Sequence, residues 1–433
     1  MATDRRTPIG TVSVMVAGFV MIGLGESSFG IAWPAMRETF DQPLAAIAFL
    51  LYAMTGGYLT GSLVLSRIAD RVPTGGLLVV APVAGVVGAS LIALAPVLAV
   101  AVPGAFLLGL AGAGVDGRLN TYTSVHLGSH LLNFMHGGFG VGAFLGPLGV
   151  TALLAAGASW RWAYAFLAVY DVALVVAFVV LRHRWLPLPT AGEVSALGDH
   201  GDVADDELVV DLEAAERAEP DGTAGAPASA TGRRSMLVLV LATAGFFTYT
   251  GVEVTCGYWA FELLTTRGLS TGAAGVVTSC YWAALMVGRF ALGTVGRRVP
   301  PSTVLTLAAV GTLGGTLVIE LGAVAPAAGA VGFVLTGLAL SGIFPAMVAM
   351  TPFRFGPARS ARVMGVQLAG ASLGVATIPS LAGLVAQRSG SAALGPAMVA
   401  TAVLFAAAHA GTTLVTRPTA AVGGRLRRRE ADV

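Results

Sequence analysis

Five acidic residues lie inside long apolar stretches of the sequence, where an ionised side chain is costly. They are Glu26, Asp116, Asp171, Glu253 and Glu320. A charge at the centre of a bilayer costs about 2.5–3.5 kcal/mol on insertion scales, so such residues normally face a protein interior and carry a function. Carboxyl groups in that setting bind and release protons or hold cations. The acids therefore predict proton or cation chemistry within a membrane-embedded protein.

Asp116 and Glu26 are the candidates for proton coupling. Glu26 lies about midway along the first apolar stretch, and Asp116 lies in the inner half of the fourth. If both line one cavity, they can load and release a proton. The alternative is a fixed ion pair with Arg118. Because Asp116 and Arg118 are two residues apart on a helix, they point away from each other. Arg118 would then have to reach an acid on another helix, with Glu26 as the candidate.

The other three acids receive different interpretations. Glu253 is a third candidate cavity acid, which favours a cationic or amino-bearing substrate. Asp171 lies inside the sixth apolar stretch, and Glu320 lies near the outer end of the ninth. For Asp171 and Glu320 we expect mainly structural roles.

Both asparagines of the chain fall close to Asp116. Asn120 is one helical turn from Asp116, and Asn133 shares a helix face with His136. Amide and imidazole groups offer both donors and acceptors, which suits hydroxyl groups of a substrate. The alternative is a hydrogen bond between neighbouring helices. The sequence thus predicts Asn120, Asn133 and His136 as substrate-binding residues.

The second half of the chain offers further polar and aromatic candidates. We predict substrate contacts from Gln367, Tyr249 and Trp282, with Tyr281 as a further candidate. Aromatic side chains at helical spacing pack in protein cores more often than they bind a ligand. Packing is therefore the alternative for Tyr249, Tyr281 and Trp282.

Several classes of protein are excluded by composition. All 25 basic residues are Arg, so a P-loop and a Lys Schiff base are absent. The only cysteines, Cys256 and Cys280, lie in apolar stretches, and the spacing of His126 and His130 has no third metal ligand nearby. A net charge of +2 does not favour a nucleic-acid partner. We predict no enzyme, no metal site, no cofactor and no nucleic-acid partner.

The elements that must position these residues are membrane-spanning helices. The chain is 55% hydrophobic and 11% charged, against about 25% charged residues in soluble domains. A span needs about 20 apolar residues, and twelve such runs are present. They lie at about 9–35, 44–66, 76–95, 98–125, 129–156, 161–182, 236–262, 270–294, 302–322, 326–350, 361–386 and 392–415. The predicted fold class is an all-α polytopic membrane protein.

The arginines predict the orientation of the spans. One set of alternate loops holds only Arg37, Arg161, Arg267 and Arg388, whereas the other loops and both termini hold many more. Loops rich in Arg face the cytoplasm. We therefore expect cytoplasmic termini, a location in the cell membrane and a first helix that is retained rather than cleaved.

An acidic segment separates two groups of six spans. Residues 193–221 hold 11 of the 23 acidic residues and few large apolar ones. Such a composition predicts a disordered linker. The predicted domains are 1–186 and 236–417 as six-helix halves, 187–235 as a cytoplasmic linker and 418–433 as a basic tail.

The two halves are related by a repeat with an offset of 227 residues. This offset places Glu26 on Glu253 and Gly61 on Gly288, and it also superposes the sequences at 71–73 and 298–300. A duplicated six-helix unit is typical of transporters with two pseudo-symmetric halves. We therefore predict six plus six helices.

The chain resembles the major facilitator superfamily over nearly its whole length. The residues Ser-Arg-Ile-Ala-Asp-Arg-Val-Pro at 66–73 resemble the loop that joins the second and third helices of that superfamily. Serine and proline stand where the loop usually has glycine. The resemblance implies a gate formed by Asp70 and Arg71, with Arg297 and Arg298 in the second half. The alternative is that Arg67 and Arg71 only set topology.

Two segments suggest a branch of that superfamily. Asp116 precedes Asn120 by four residues, and residues 133–140 follow with several Gly and Phe, as in the fucose:proton symporters. Residues 341–345 and Gln367 fit the same branch. The resemblance implies a proton-coupled transporter of a sugar-like solute, whose two halves rock around a site at the midplane.

The expected partners are therefore a small solute, protons and the lipid bilayer, and we expect a monomer whose energy source is the proton gradient. The runner-up is a proton-driven exporter of a drug or natural product, which Glu253 favours. A receptor or scaffold without transport is disfavoured, since it would gain nothing from buried ionisable groups.

Overall fold

The computed structural model describes residues 9–68, 72–127, 129–186, 228–295 and 299–416, and all regular structure in these ranges is helical. Twelve segments are long and apolar enough to cross a membrane. The predicted all-α fold with twelve spans is therefore confirmed. The predicted gating residues Asp70, Arg71, Arg297 and Arg298 lie outside the described residues, as do 187–227 of the predicted linker and the tail.

The first six helices form the first half of the molecule. They are α1 (Ile9–Thr39), α2 (Ile47–Ile68), α3 (Thr74–Leu94), α4 (Leu98–His126), α5 (Ser129–Ala155) and α6 (Arg161–Leu181). A short 3-10 turn, Leu44–Ala46, precedes α2, and another, Arg182–Arg184, follows α6. Each helix agrees with its predicted span to within a few residues.

Seven helices form the second half, because the tenth span is broken. They are α7 (Ala228–Thr266), α8 (Thr271–Val295), α9 (Pro301–Leu321), α10 (Pro326–Leu340), α11 (Ile343–Phe355), α12 (Pro357–Ser389) and α13 (Leu394–Thr416). The break at Ser341 and Gly342 divides the predicted run 326–350 into α10 and α11. Helix α7 begins within the residues predicted as linker.

Glycines allow corresponding helix pairs of the two halves to approach closely. A Cβ atom on Gly142 of α5 would overlap the carbonyl oxygen of Val20 on α1, and one on Gly374 of α12 would overlap that of Phe247 on α7. Gly138 and Gly146 meet α1 in the same way. The glycines at 138, 142 and 146 therefore serve close helix packing, as their spacing predicts.

The bundle has two ends. The terminus-side end is the one at which α1 begins and α13 ends, and the far end is the one at which α1 ends and α13 begins. At the far end the halves are joined by polar contacts. Arg37 of the first half lies 3.9 Å from Glu262 of the second, and the Ala45 amide donates to Gln387 at 3.0 Å. Within the second half, Ser391 also donates to Glu262, at 2.8 Å. These contacts hold the two halves together at one end of the molecule.

Glu320 has a structural partner near the same end. Its carboxylate accepts a hydrogen bond from Arg267 at 2.9 Å, and Arg267 also donates to the backbone oxygen of Ile319. This arrangement joins α7 to α9 and is consistent with the structural role expected for Glu320.

Candidate functional site

A cavity of about 1070 Å³ lies between the two halves. Helices α1, α2, α4, α5 and α6 line it from one side, and α7, α8, α9, α11 and α12 line it from the other. Its wall extends from the middle of the bundle to Val299 and Pro301 at the terminus-side end. Among the described residues, none from the far-end connections 40–46, 156–160 and 267–270 belongs to the wall. The cavity therefore reaches toward one end only.

The cavity wall brings together most of the predicted site residues. The predicted residues in the wall are Glu26, Asp116, His136, Tyr249, Glu253 and Trp282. They come from five helices, α1, α4, α5, α7 and α8, that lie far apart in the sequence. The prediction that acids of both halves share one cavity thus has a direct structural counterpart.

Asp116 is held by two neutral donors. The Tyr58 hydroxyl on α2 donates to Asp116 Oδ2 at 2.6 Å, and Asn120 Nδ2 donates to Asp116 Oδ1 at 2.8 Å. Asn120 thus lies one turn from Asp116 on the same face, but it orients this acid and is not itself part of the cavity wall. Arg118 is buried and donates to the Val72 backbone oxygen at 3.1 Å. The two donors leave Asp116 able to change its charge without breaking an ion pair with a described residue.

Glu26 differs from Asp116 in having no partner. It lies in the cavity wall midway along α1, and no hydrogen bond or ion pair joins it to any described residue. The backbone turn next to it is anchored, because Ser27 donates to the Gly23 oxygen at 2.7 Å and Gly30 packs on the backbone of Tyr258. An acid on a firmly packed helix is thereby presented to the cavity with its hydrogen-bonding capacity unused.

Glu253, the repeat counterpart of Glu26, is fully engaged. Arg289 on α8 lies 3.5 Å from Glu253 Oε1, and the Tyr249 hydroxyl donates to Glu253 Oε2. The Tyr281 hydroxyl donates to the Glu253 backbone oxygen at 2.6 Å, and this bond fixes α8 against α7. The carboxylate of Glu253 is therefore neutralised in place by Arg289.

Aromatic groups line the remainder of the cavity near these acids. The His136 ring meets the Phe19 ring edge-on at 4.9 Å and is exposed to the cavity. Trp282 contacts Tyr281 at 5.2 Å between ring centroids, and its Nε1 is buried without a hydrogen-bond partner. These side chains offer flat apolar surfaces with a few polar edges, as small-molecule sites commonly do.

Besides Asn120, two more predicted substrate-binding residues are not placed in the cavity wall. Gln367 on α12 is buried and accepts a hydrogen bond from the Thr351 hydroxyl at 2.9 Å, so it joins α12 to α11. Asn133 belongs to α5, but its side chain lies outside the described part of the structure. A substrate contact by either residue remains a prediction.

Asp171 on α6 is an unpartnered acid in the wall of the cavity. Its side chain is fully buried, and neither carboxyl oxygen has a hydrogen-bond partner. The carboxyl group lies against Gly85 of α3, where a Cβ atom would come within 2.6 Å of Asp171 Oδ2. A buried polar group without a partner costs roughly 1–3 kcal/mol. Asp171 therefore does not stabilise the helix packing through hydrogen bonds.

Sequence reasoning missed two residues that control the cavity acids. Tyr58 donates to Asp116, and Arg289 neutralises Glu253. A usable signal existed for Arg289, since it is the one basic residue within the predicted span 270–294. No comparable signal marks Tyr58, because a tyrosine within a span is most often a packing residue.

The cavity wall presents several carboxyl groups in different environments. Among the residues that the structure describes, no group of three or more His, Cys, Asp or Glu could hold a metal ion. The wall combines two acids without a partner among the described residues, Glu26 and Asp171, with one acid on neutral donors and one acid in an ion pair. These three environments give the carboxyl groups different chemistry within a single cavity.

The chain belongs to the Major Facilitator Superfamily, whose family model matches residues 15–323 and 241–430. It is therefore a multi-pass membrane protein of that superfamily. A curated relative is the "Bypass of stop codon protein 6" of Saccharomyces cerevisiae, which is 26% identical over 293 residues, or 65% of this chain. The match covers 56% of the yeast protein's length, so the chain spans little more than half of this relative.

Solved structures show the same fold. The nucleoside transporter NupG aligns with 94% of this chain over 100% of its own length, with a TM-score of 0.69 and 12% identity. A bacterial homologue of the human lysosomal transporter Spinster, in an inward-facing and occupied conformation, aligns with 94% of this chain over 97% of its own length. The TM-score is 0.71 and the identity is 12%. The D-xylose-proton symporter aligns with 91% of this chain over 97% of its own length, with a TM-score of 0.66 and 14% identity. At these identities the likeness concerns the fold alone.

Proposed function

We propose that the protein is a secondary-active transporter that moves a small polar, sugar-like solute together with protons by alternating access. The observation that carries this proposal is the pair of acids in one cavity. Glu26 has no partner among the described residues, and Asp116 is held only by neutral donors. Because neither acid is neutralised by an ion pair there, a proton is the simplest species that can neutralise each one.

The coupling is assigned to Asp116, with Glu26 sharing the proton or contacting the solute. Tyr58 and Asn120 donate to the ionised form of Asp116, so they hold its carboxylate after the proton leaves. When the acid is protonated, the charge in the cavity falls and the halves can close around it at lower cost. The proton thereby licenses the conformational change.

The conformational change is proposed as rocking of residues 9–186 against 228–416. The far-end contacts must then separate while the terminus-side end closes. Arg37 and Glu262 are 3.9 Å apart, at the outer limit of an ion pair, and part of the Arg37 side chain is exposed. Such a pair contributes at most about 1 kcal/mol, so it does not lock the far end.

The membrane orientation follows from the arginine asymmetry. We place the protein in the cell membrane, with the terminus-side end facing the cytoplasm. We expect it to act as a monomer. In this orientation the cavity reaches toward the cytoplasm. His136 and Trp282, both in the wall, are proposed to contact the solute, since they present polar edges beside apolar rings.

The test uses purified protein in proteoliposomes that contain a trapped pH-reporting dye. Sugars, amino sugars and cationic drugs are added outside, one at a time. Acidification of the interior with a sugar in the wild type, absent in Asp116→Asn, supports symport. Sugar uptake by Asp116→Asn that still acidifies the interior to the wild-type extent would contradict the role of Asp116. Glu320→Gln is the matched control, because Glu320 pairs with Arg267 outside the cavity.

A second candidate function is proton-driven export of a cationic compound. Four carboxyl groups, those of Glu26, Asp116, Asp171 and Glu253, belong to the cavity wall with one arginine, Arg289, among largely apolar and aromatic neighbours. This balance favours a cation with apolar parts. In the same assay, alkalinisation of the interior upon addition of a cationic drug would favour export over symport.

A further inference from the structure

A second, smaller cavity lies outside the central one. It has a volume of about 270 Å³ and lies at the terminus-side end of the second half, between α9, α11 and α13. It shares no wall residue with the central cavity. Its polar wall consists of Ser302, Thr306, Arg354, His409, Thr413 and Thr416. The wall of this pocket thus holds hydroxyl groups, one guanidinium and one imidazole, and no acid.

The guanidinium of this pocket has no counter-ion among the described residues. Arg354 is half-buried in the last turn of α11, and its Nε atom is buried without a hydrogen-bond partner. The described ion pairs at other sites join Arg37, Arg267 and Arg289 to glutamates. Because the Arg354 guanidinium is partly withdrawn from water and no described acid pairs with it, its N–H groups are available to an anion.

An imidazole and several hydroxyl groups line the pocket beside the guanidinium. His409 Nδ1 is buried without a partner, while its Nε2 lies 3.0 Å from the Thr306 hydroxyl. The Thr306 and Thr413 hydroxyls donate to backbone oxygens at 2.9 Å, so each would have to turn away from the backbone to donate to a phosphate. Arginine binds phosphate through paired N–H groups, and nearby hydroxyl and imidazole groups supply further hydrogen bonds.

The surroundings of the pocket are those of a lipid-facing surface. The side chains of Leu307, Val310, Phe353 and Leu414, on the same three helices, are exposed by 64% or more. In a membrane-spanning bundle such residues meet lipid tails. The pocket lies at the first turns of α9 and the last turns of α11 and α13, at the depth where headgroups begin.

We infer that this pocket binds a phosphate group, as carried by the headgroup of an anionic phospholipid in the leaflet at the terminus-side end. Basic pockets between membrane-spanning helices are suited to such headgroups. The lipid tails would lie along the exposed apolar residues of α9, α11 and α13. Free inorganic phosphate presents the same chemistry without the tails. This inference does not depend on the transported solute or on the coupling ion.

The test titrates purified protein in a neutral detergent and follows thermal unfolding by tryptophan fluorescence. The probes are short-chain phosphatidylglycerol, short-chain phosphatidylcholine and sodium phosphate. Phosphatidylglycerol is expected to raise the unfolding temperature of the wild type, whereas phosphatidylcholine is not. In Arg354→Gln the apparent dissociation constant for phosphatidylglycerol should increase at least about tenfold, a change of about 1.4 kcal/mol.

Two further variants keep the result interpretable. Arg359→Gln, an exposed arginine at the same end, should bind phosphatidylglycerol as the wild type does. Thr306→Val should weaken binding several-fold and serves if Arg354→Gln does not fold. A phosphate-induced shift that also depends on Arg354 would assign the pocket to free phosphate and support the anion site. The inference fails if neither phosphatidylglycerol nor phosphate stabilises the wild type, or if Arg354→Gln and Thr306→Val respond like the wild type.

Discussion

Glu26 and Glu253 occupy equivalent places in the two halves but have opposite surroundings. The offset of 227 residues relates them, and both lie in the wall of the central cavity. Glu253 is bound by Tyr249 and Arg289, whereas Glu26 has no partner among the described residues. Duplication has preserved the position of the acid and not its environment.

The residues that pair with Glu253 explain why the surroundings of the two glutamates differ. The same offset places Tyr249 on Ile22 and Arg289 on Ser62, so the first half lacks both groups that engage Glu253. Conversely, Tyr58, which binds Asp116, corresponds to Leu285 in the second half. Among the described residues, Glu26 and Asp116 of the first half therefore have no cationic partner, whereas Glu253 of the second half has one. In the proposed mechanism the first half exchanges charge, and the second half holds its charge fixed.

The largest effect is expected for Glu26→Gln. Since Glu26 has no partner among the described residues, its amide variant should fold normally but lose proton-driven accumulation of solute, because an amide cannot take up and release the shared proton. A loss of at least about tenfold is expected, the scale of a coupling free energy of about 1–3 kcal/mol. Uptake into proteoliposomes with an imposed pH gradient measures this. Glu320→Gln is the control and should behave as the wild type. Full accumulation by Glu26→Gln would break the comparison between the halves.

The next effect concerns Glu253→Gln, which should act on stability rather than on coupling. Removing one partner of a buried ion pair costs about 3–5 kcal/mol, and we expect about 1–2 kcal/mol because 30% of the Arg289 side chain is exposed. The apparent unfolding temperature in detergent reports this loss. The double variant Glu253→Gln/Arg289→Gln should recover part of it, and a purely additive loss would show that the two residues do not interact.

A smaller effect is expected for Tyr58→Phe. This change removes one of the two donors to Asp116 and keeps the ring, so it should lower the initial rate of proton-driven uptake by about fivefold, or roughly 1 kcal/mol. Tyr249→Phe is the matched control in the other half, because it removes a donor to Glu253, whose charge Arg289 still balances. Equal losses of rate in the two variants would erase the distinction drawn between the halves.

The smallest effect is expected for Asp171→Val. The variant removes a buried carboxyl group that has no hydrogen-bond partner, and we expect a gain of about 1 kcal/mol in stability. Thermal unfolding of wild type and variant measures it. A loss of stability would instead mean that Asp171 stabilises the packing of α6 against α3. That result would support the structural role expected for Asp171 from the sequence.

Much of the fold could be predicted because the bilayer imposes its thickness on the sequence. Runs of about 20 apolar residues located all twelve spans, and the glycine spacing on α5 indicated close packing. The break within the tenth span escaped prediction. Its residues Ser341 and Gly342 are common inside membrane helices, so they do not mark a helix end.

The candidate site was predictable only in part. Ionisable residues in apolar runs stand out, which is why Glu26, Asp116 and Glu253 were found. The partners of these acids come from other helices, and the rotation of one helix about its axis relative to its neighbours is not encoded in its own periodicity. Gln367 illustrates this point, since it faces Thr351 of α11 and is not part of the cavity wall.

The most direct test measures proton flux and solute flux together in the two repeat-equivalent variants. Proteoliposomes of wild type, Glu26→Gln and Glu253→Gln would contain the pH dye and receive the same radiolabelled solute, the one found active in the solute panel. We predict that Glu253→Gln keeps the wild-type ratio of protons to solute, whereas Glu26→Gln exchanges solute with little or no proton movement. The opposite result, with the ratio lost in Glu253→Gln and kept in Glu26→Gln, would contradict the account.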